Sequence, residues 1–185
     1  VLDIKKGEKI LDLGCGPGFF SSTFEKLGAN VIGDDVSKAM IDVAREHSQK
    51  EILYYIAPSD KLDFIGNGVV DKITIILALQ NIERLNETLI ECGRVLKSGG
   101  HLYIVLNHPA FRVPKASGWG WDAENKMQYR RIDSYMSEAK VKIQMHPGDR
   151  SDEFTISFHR SLQIYFKGLR NAGFAVESLE EWISH

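Results

Sequence analysis

With two cysteines, Cys15 and Cys92, the chain has no disulfide framework. Cys15 lies in a glycine turn and Cys92 in a helical pattern, so both are expected to be reduced and structural. Long apolar runs are missing as well. None reaches the roughly 18 residues of a membrane span, so no spanning segment is predicted. No signal peptide is expected either, because the early lysines are not followed by an apolar core. Nor is one sign of charge in excess. A formal net charge of −2 argues against a broad nucleic-acid surface, which would leave a basic surplus, although a local basic patch stays open. A chain that is 43% hydrophobic and 26% charged is neither disordered nor fibrous. Its 185 residues suit one domain with a sizeable core, spanning 1–185, and the expectation is a cytoplasmic enzyme or binding module.

What is present is an alternation of strands and helices. Strands are predicted at Lys9 to Leu13, Asn30 to Gly33, Ile52 to Ala57, Asp71 to Leu79 and His101 to Leu106. Helices are predicted at Phe19 to Leu27, with Phe20, Phe24 and Leu27 on one face, and after a Ser37 cap, with Met40, Ile41 and Ala44 inward. A third covers Asn86 to Leu96. The rhythm implies a mostly parallel sheet with helices on both faces. It breaks after Asn107. Residues 109–160 are rich in proline and glycine, hold Trp119 and Trp121 in a glycine-rich loop, and offer short strands at Tyr129 to Tyr135, Val141 to Met145 and Phe154 to Phe158. This stretch is too short for its own core and is expected to be an inserted cap. A helix from Ser161 to Ala172 and a last strand from Phe174 to Leu179 complete the chain.

The decisive local pattern is Leu11-Asp12-Leu13-Gly14-Cys15-Gly16-Pro17-Gly18 with a second acid at Asp35. A dinucleotide site spaces its glycines G-x-G-x-x-G. Here the third glycine comes one residue early, and Asp12 would repel a pyrophosphate while suiting an amino group or a sulfonium. Glycines let a ligand touch the backbone, and the loop amides and helix N-terminus can meet a carboxylate. Asp35, at the end of the second strand, is a carboxylate that can accept from two hydroxyl donors.

This turn resembles the first motif of class I S-adenosylmethionine-dependent methyltransferases, D-x-G-x-G-x-G. Val31-Ile32-Gly33-Asp34-Asp35-Val36-Ser37 resembles the family's second-strand signature, with Asp34 where an apolar residue is usual. Arg94-Val95-Leu96-Lys97-Ser98-Gly99-Gly100 is similar to R-V-L-K-P-G-G before the fifth strand, and residues 8–106 resemble the type 11 subgroup, which includes quinone-biosynthesis enzymes. Gly173-Phe174 resembles its late helix-strand junction. The resemblance implies a Rossmann-like α/β methyltransferase sandwich and S-adenosyl-L-methionine as cofactor. It places Asp12, Gly14, Cys15, Gly16, Gly18, Asp35, Val36, Ser59, Asp60, Leu79 and Asn81 at that cofactor, with Asp12 balancing its charge or orienting the loop. One departure concerns adenine. Pro58-Ser59 stand where the family often has Asp-Ala, so adenine recognition passes to the Ser59 backbone, Asp60 or apolar contact from Leu62. The chain also starts almost at the first strand and stops soon after the sixth, which predicts a truncated or a minimal fold.

Methyl transfer is an in-line displacement that depends mostly on positioning in a dry pocket. The acceptor is expected beside the glycine turn, near Asn107 and His108. His108 and His159 are candidate bases, since an unperturbed histidine titrates near pH ~6.5. Either could instead bond loop backbone. Asn107, Arg112, Trp119, Arg131 and Arg160 are candidate acceptor contacts, the arginines for an anionic group and Trp119 as a lid or as packing. His108, His146 and His159 lack metal-ligand spacing, so no metal is expected. A small-molecule acceptor methylated on oxygen is favoured. The alternatives are a nucleic-acid or protein methyltransferase, supported by Arg112, Arg130, Arg131 and Arg160, and a cofactor-binding protein without catalysis.

Overall fold

Short apolar runs and amphipathic segments pair off as their rhythm requires in the structure, a computed structural model that describes residues 2–48, 51–111, 116–144 and 154–182. Five strands form one parallel sheet: β1 (Lys9–Leu13), β2 (Asn30–Asp35), β3 (Leu53–Ile56), β4 (Val70–Ile76) and β5 (Leu96–Val105). Their order is β3-β2-β1-β4-β5. Helices α1 (Phe19–Lys26), α2 (Lys38–His47) and α3 (Leu85–Val95) connect them. The chain winds outward from β1 to β3 and then crosses to β4, which makes a topological switch point between β1 and β4.

Both faces of the sheet are covered. Leu11, Leu13, Ile73 and Ile75 pack on α3 through Leu89, Cys92 and Val95, while Ile10 and Val31 meet Phe24, Ile41 and Ala44 from α1 and α2. Each large side chain buried this way contributes about 1.5–3 kcal/mol. The helices bury narrower stripes than expected. α1 buries Ser21 and Phe24 and leaves Phe20 and Leu27 exposed, because the helix turns the Ser21 hydroxyl inward to Asp12. In α2 Met40 stays at the surface, and Ser37 caps the helix by accepting from the Met40 N–H. The run expected as strand to Leu79 stops at Ile76, where Leu77 turns the chain with φ 55°.

β5 leads into two antiparallel ribbons. β6 (Ser117–Asp122) pairs with β7 (Met127–Ile132), and β8 (Ala139–Gln144) with β9 (Phe154–His159). β6 corrects the expected loop around the tryptophans. Strand alternation puts Trp119 and Trp121 on one face and Gly118 and Gly120 on the other, where the Tyr129 ring covers Gly120. The β8–β9 ribbon sits on the turn after β4: Arg160 Nη2 donates to the Glu83 carbonyl at 2.7 Å, and Lys140 pairs with the Glu83 carboxylate at 2.8 Å. α4 (Leu162–Asn171) follows and sends Tyr165 into the core. The strand expected at Phe174 to Leu179 does not form. Residues 174–182 are irregular and mostly exposed, and they meet β5 and the loop after it through His101–Glu177 and His108–Glu181 side-chain contacts instead of a backbone ladder. No described helix is long and apolar enough to cross a membrane.

Candidate functional site

Because the strands are parallel, the ends of all five open on one side, where the glycine turn leaves β1. Gly14, Gly16 and Gly18 all have left-handed backbone, with φ 70°, 54° and 80°. Two of them are forced by packing. A Cβ on Gly14 would lie 2.6 Å from the Ala78 Cβ, and one on Gly18 would lie 2.5 Å from the Tyr54 hydroxyl. A Cβ on Gly16 would meet nothing within 4 Å. Gly16 therefore fronts the open cleft, where bare backbone is available to a ligand.

Asp35 holds this edge together. Its Oδ2 accepts from the Gly16 N–H at 3.0 Å and its Oδ1 from the Ser37 N–H at 2.8 Å. A carboxylate has about four lone-pair positions, so each oxygen retains one for a further donor. Val36 beside it is 74% exposed and gives the rim an apolar contact. This combination of open glycine backbone, half-buried carboxylate and exposed valine fits the amino acid and nucleoside halves of S-adenosylmethionine.

Asp12 faces elsewhere. It is buried beneath the turn, where its Oδ2 accepts from Ser21 Oγ at 2.6 Å and its Oδ1 from Thr74 Oγ1 at 3.0 Å. Burial raises its carboxyl above the usual range, partly offset by those two hydroxyls. It ties the loop to α1 and β4 instead of lining the cleft. Cys15 donates its backbone N–H to the Asp34 carbonyl at 2.9 Å. Burial, then the Asp12, Asp34 and Asp35 charges, pushes its thiol up, the opposite direction from an activated nucleophile.

The turn after β4 forms the opposite wall, and the sequence pattern misplaces its key residue. Leu79, expected at the cofactor, is fully buried in the core, as is Leu62. The exposed position is Leu77, held in left-handed backbone by its N–H on the Val105 carbonyl at 2.7 Å and by Gln80 Nε2 on its own carbonyl at 2.7 Å. Strain of this kind in a non-glycine residue costs about 1–2 kcal/mol and concentrates at functional sites. Asn81 is exposed at the end of this turn, and Ser59 is half-buried. Asp60 is paired with Arg84 at 3.1 Å.

Ile76 pairs with Val105, so the loop after β5 begins beside Leu77 and carries exposed Asn107 and half-buried His108 to the same edge. His108 Nε2 contacts the Glu181 carboxylate, and its Nδ1 accepts from the Ala110 N–H at 3.2 Å. Glu181 is a residue that sequence reasoning missed, as are Leu77, Ser21 and Thr74.

The other acceptor candidates do not converge. His159 is 4% exposed, with Nε2 on the Tyr135 carbonyl at 2.9 Å, which closes it to an acceptor. Arg160 is likewise buried and serves the Glu83 carbonyl. Arg131 is exposed and paired with Asp133 at 2.9 Å. Arg130, paired across the ribbon with Trp119, lies 5.2 Å from the centre of that exposed ring, on the opposite face of β7 from Arg131. Arg112 and His146 lie outside the described residues. Among the described residues no three His, Cys, Asp or Glu side chains could hold a metal ion.

Comparisons with known proteins place the chain in a family. The family described as a methyltransferase domain matches residues 11–104. A ubiquinone biosynthesis O-methyltransferase of Nitrosococcus oceani is 36% identical over 114 residues, which are 60% of this chain and 47% of that protein. The chain thus spans about half the length of that relative. An uncharacterized protein of Haemophilus influenzae is 30% identical over 185 residues, 95% of this chain and 70% of its own length. The crystal structure of an S-adenosylmethionine-dependent methyltransferase from Mesorhizobium loti superposes with a TM-score of 0.84 at 31% identity, covering 98% of this chain and 80% of that one.

Proposed function

The chain belongs to the methyltransferase domain family of the S-adenosylmethionine-dependent methyltransferases, and from that premise we propose that it methylates a small molecule on oxygen. The observation that carries this reading is His108, an imidazole with a carboxylate partner at the end of β5. The Nitrosococcus relative named as an O-methyltransferase supports the choice of atom. The pairing of Arg131 with Asp133, and of Arg130 and Arg160 with backbone carbonyls, speaks against a free basic face for nucleic acid.

Gly14 to Gly18, Asp35, Val36 and Leu77 would hold the cofactor, which supplies an electrophilic methyl group on a sulfonium. Glu181 fixes the His108 ring with its proton on Nε2, leaving the Nδ1 lone pair held only by the long Ala110 contact. Once the Ala110 N–H lets go of it, Nδ1 would take the proton of an acceptor hydroxyl. The β6–β7 and β8–β9 ribbons act as a cap, with Trp119 available to an apolar acceptor and Asn107 at the mouth.

Isothermal titration with S-adenosylhomocysteine tests the premise: binding is expected, and no heat at all would sink it. For the base, His108→Ala should leave that affinity intact and lower kcat about 100-fold on an identified acceptor. Unchanged turnover removes His108 from the chemistry.

A further inference from the structure

His108 sits in a short turn that is wound on itself. The Phe111 N–H donates to the His108 carbonyl at 3.0 Å, and the His108 and Phe111 rings lie 5.0 Å apart between centres. These contacts set the shape of residues 108–111 but not where the turn stands against the cleft. Glu181 meets the imidazole from an exposed, irregular segment, which is a weak anchor.

The firmer hold comes from the cap. Arg130 projects from β7 on the same face as Trp119, its cross-strand partner, and its guanidinium lies 5.2 Å from the centre of that ring. Its Nη2 donates to Ser117 Oγ at 2.8 Å, inside the ribbon, and to the Phe111 carbonyl at 2.7 Å, outside it. One nitrogen therefore ties the β6–β7 ladder to the turn that carries His108. Arg130 is half-buried, both of these acceptors are neutral, and its buried Nε has no hydrogen-bonding partner. A stranded donor costs desolvation with nothing in return, so fold stability by itself would favour an apolar side chain here. A planar fork stacked on an indole and reaching into another segment is a device for holding that segment in place.

We propose that Arg130 is a positioning residue, which fixes residues 108–111, and with them the His108 imidazole, to the β6–β7 ribbon. The inference rests on the reading of His108 as the base. Proton transfer requires the imidazole within hydrogen-bond reach of the acceptor hydroxyl, and a misplacement of ~1 Å is enough to lose ~100-fold in rate.

Backbone order parameters from amide NMR relaxation of the full chain test this without an acceptor. In wild type the His108, Ala110 and Phe111 N–H groups should stand near the ~0.85 of rigid backbone, and in Arg130→Met they should fall below ~0.6. Arg130→Lys, whose ammonium can still donate to the Phe111 carbonyl, should recover most of the order. Thermal melts and titration with S-adenosylhomocysteine should match wild type for both variants, which separates a loosened turn from a loosened fold. Arg130→Leu carries the test if Arg130→Met does not fold. A turn that stays rigid in the folded variant, or is already mobile in wild type, overturns the proposal. Loss of order across β1 to β5 as well would make Arg130 a structural residue and overturn it too. Failure of the underlying reading looks different: His108→Ala with unchanged turnover removes the base, whatever the order parameters of Arg130→Met.

Discussion

Gly14 and Gly16 share a left-handed backbone but answer to different constraints, and substitution separates them. Gly14→Ala adds a 2.6 Å collision with Ala78 to the backbone strain and should destabilise the fold by more than the ~1 kcal/mol expected of Gly16→Ala. Denaturant melts of the two variants give the order directly. Gly16→Val should fold and lose S-adenosylhomocysteine, because its side chain fills the open cleft and not the core. Asp35 is the other residue that holds this edge. Asp35→Ala removes the acceptor for two backbone N–H groups and the candidate ribose contact, and titration should find S-adenosylhomocysteine weakened at least ~10-fold. An unchanged affinity would mean that the sugar lies elsewhere.

Among the elements, α3 is braced by a single guanidinium. Arg94 donates to the Leu62 and Ile65 carbonyls, to Asn67 and to both oxygens of Glu91, whose Oε2 also accepts from the Leu62 N–H. The 62–67 segment, which places Leu62 and Ile65 in the core, is held mainly through this fork. Arg94→Ala should cost about 2–4 kcal/mol by chemical denaturation, and Arg94→Lys should recover little, since an ammonium cannot serve four partners in one plane. A loss below ~1 kcal/mol would show that the core alone holds the segment.

For the molecule as a whole, two sets of carboxyls pull stability in opposite directions with pH. Asp71 is held low first by its hydrogen bond from Lys97, Glu91 first by Arg94, and Glu8 first by the Lys5 N–H and then by Lys72. Their contribution is present at neutral pH and is lost as pH falls below ~4 through the lowered folded values. Asp12 and Asp34 are raised by burial. There the folded state keeps protons that the unfolded chain has released, so stability falls as pH climbs from ~4 through the raised values. Asp34→Val removes one member of the second set and an unpartnered group worth roughly 1–3 kcal/mol of desolvation. Its melting temperature should exceed wild type, and the gap should widen between pH 5 and 8. A gap independent of pH would mean that Asp34 does not retain its proton in the fold.

What the sequence determined by itself is the part built from neighbours along the chain. The strand–turn–helix from Lys9 through α1, the three glycines and Asp35 closing β2 follow from spacing and backbone conformation, which act over a few residues. Packing decided the rest. Ser21 and Thr74 claim Asp12 because a helix and a strand distant in sequence meet beneath the turn. Leu77, not Leu79, is exposed because the ladder between β4 and β5 sets where the chain must turn. β6 was hidden because its alternate residues are glycine and tryptophan, and only the Tyr129 ring across the ribbon fills the glycine face. Glu181 joins His108 from 73 positions away, the difference between 181 and 108. A contact between segments so far apart has no signature in either segment, since it exists only once both have been placed by the core.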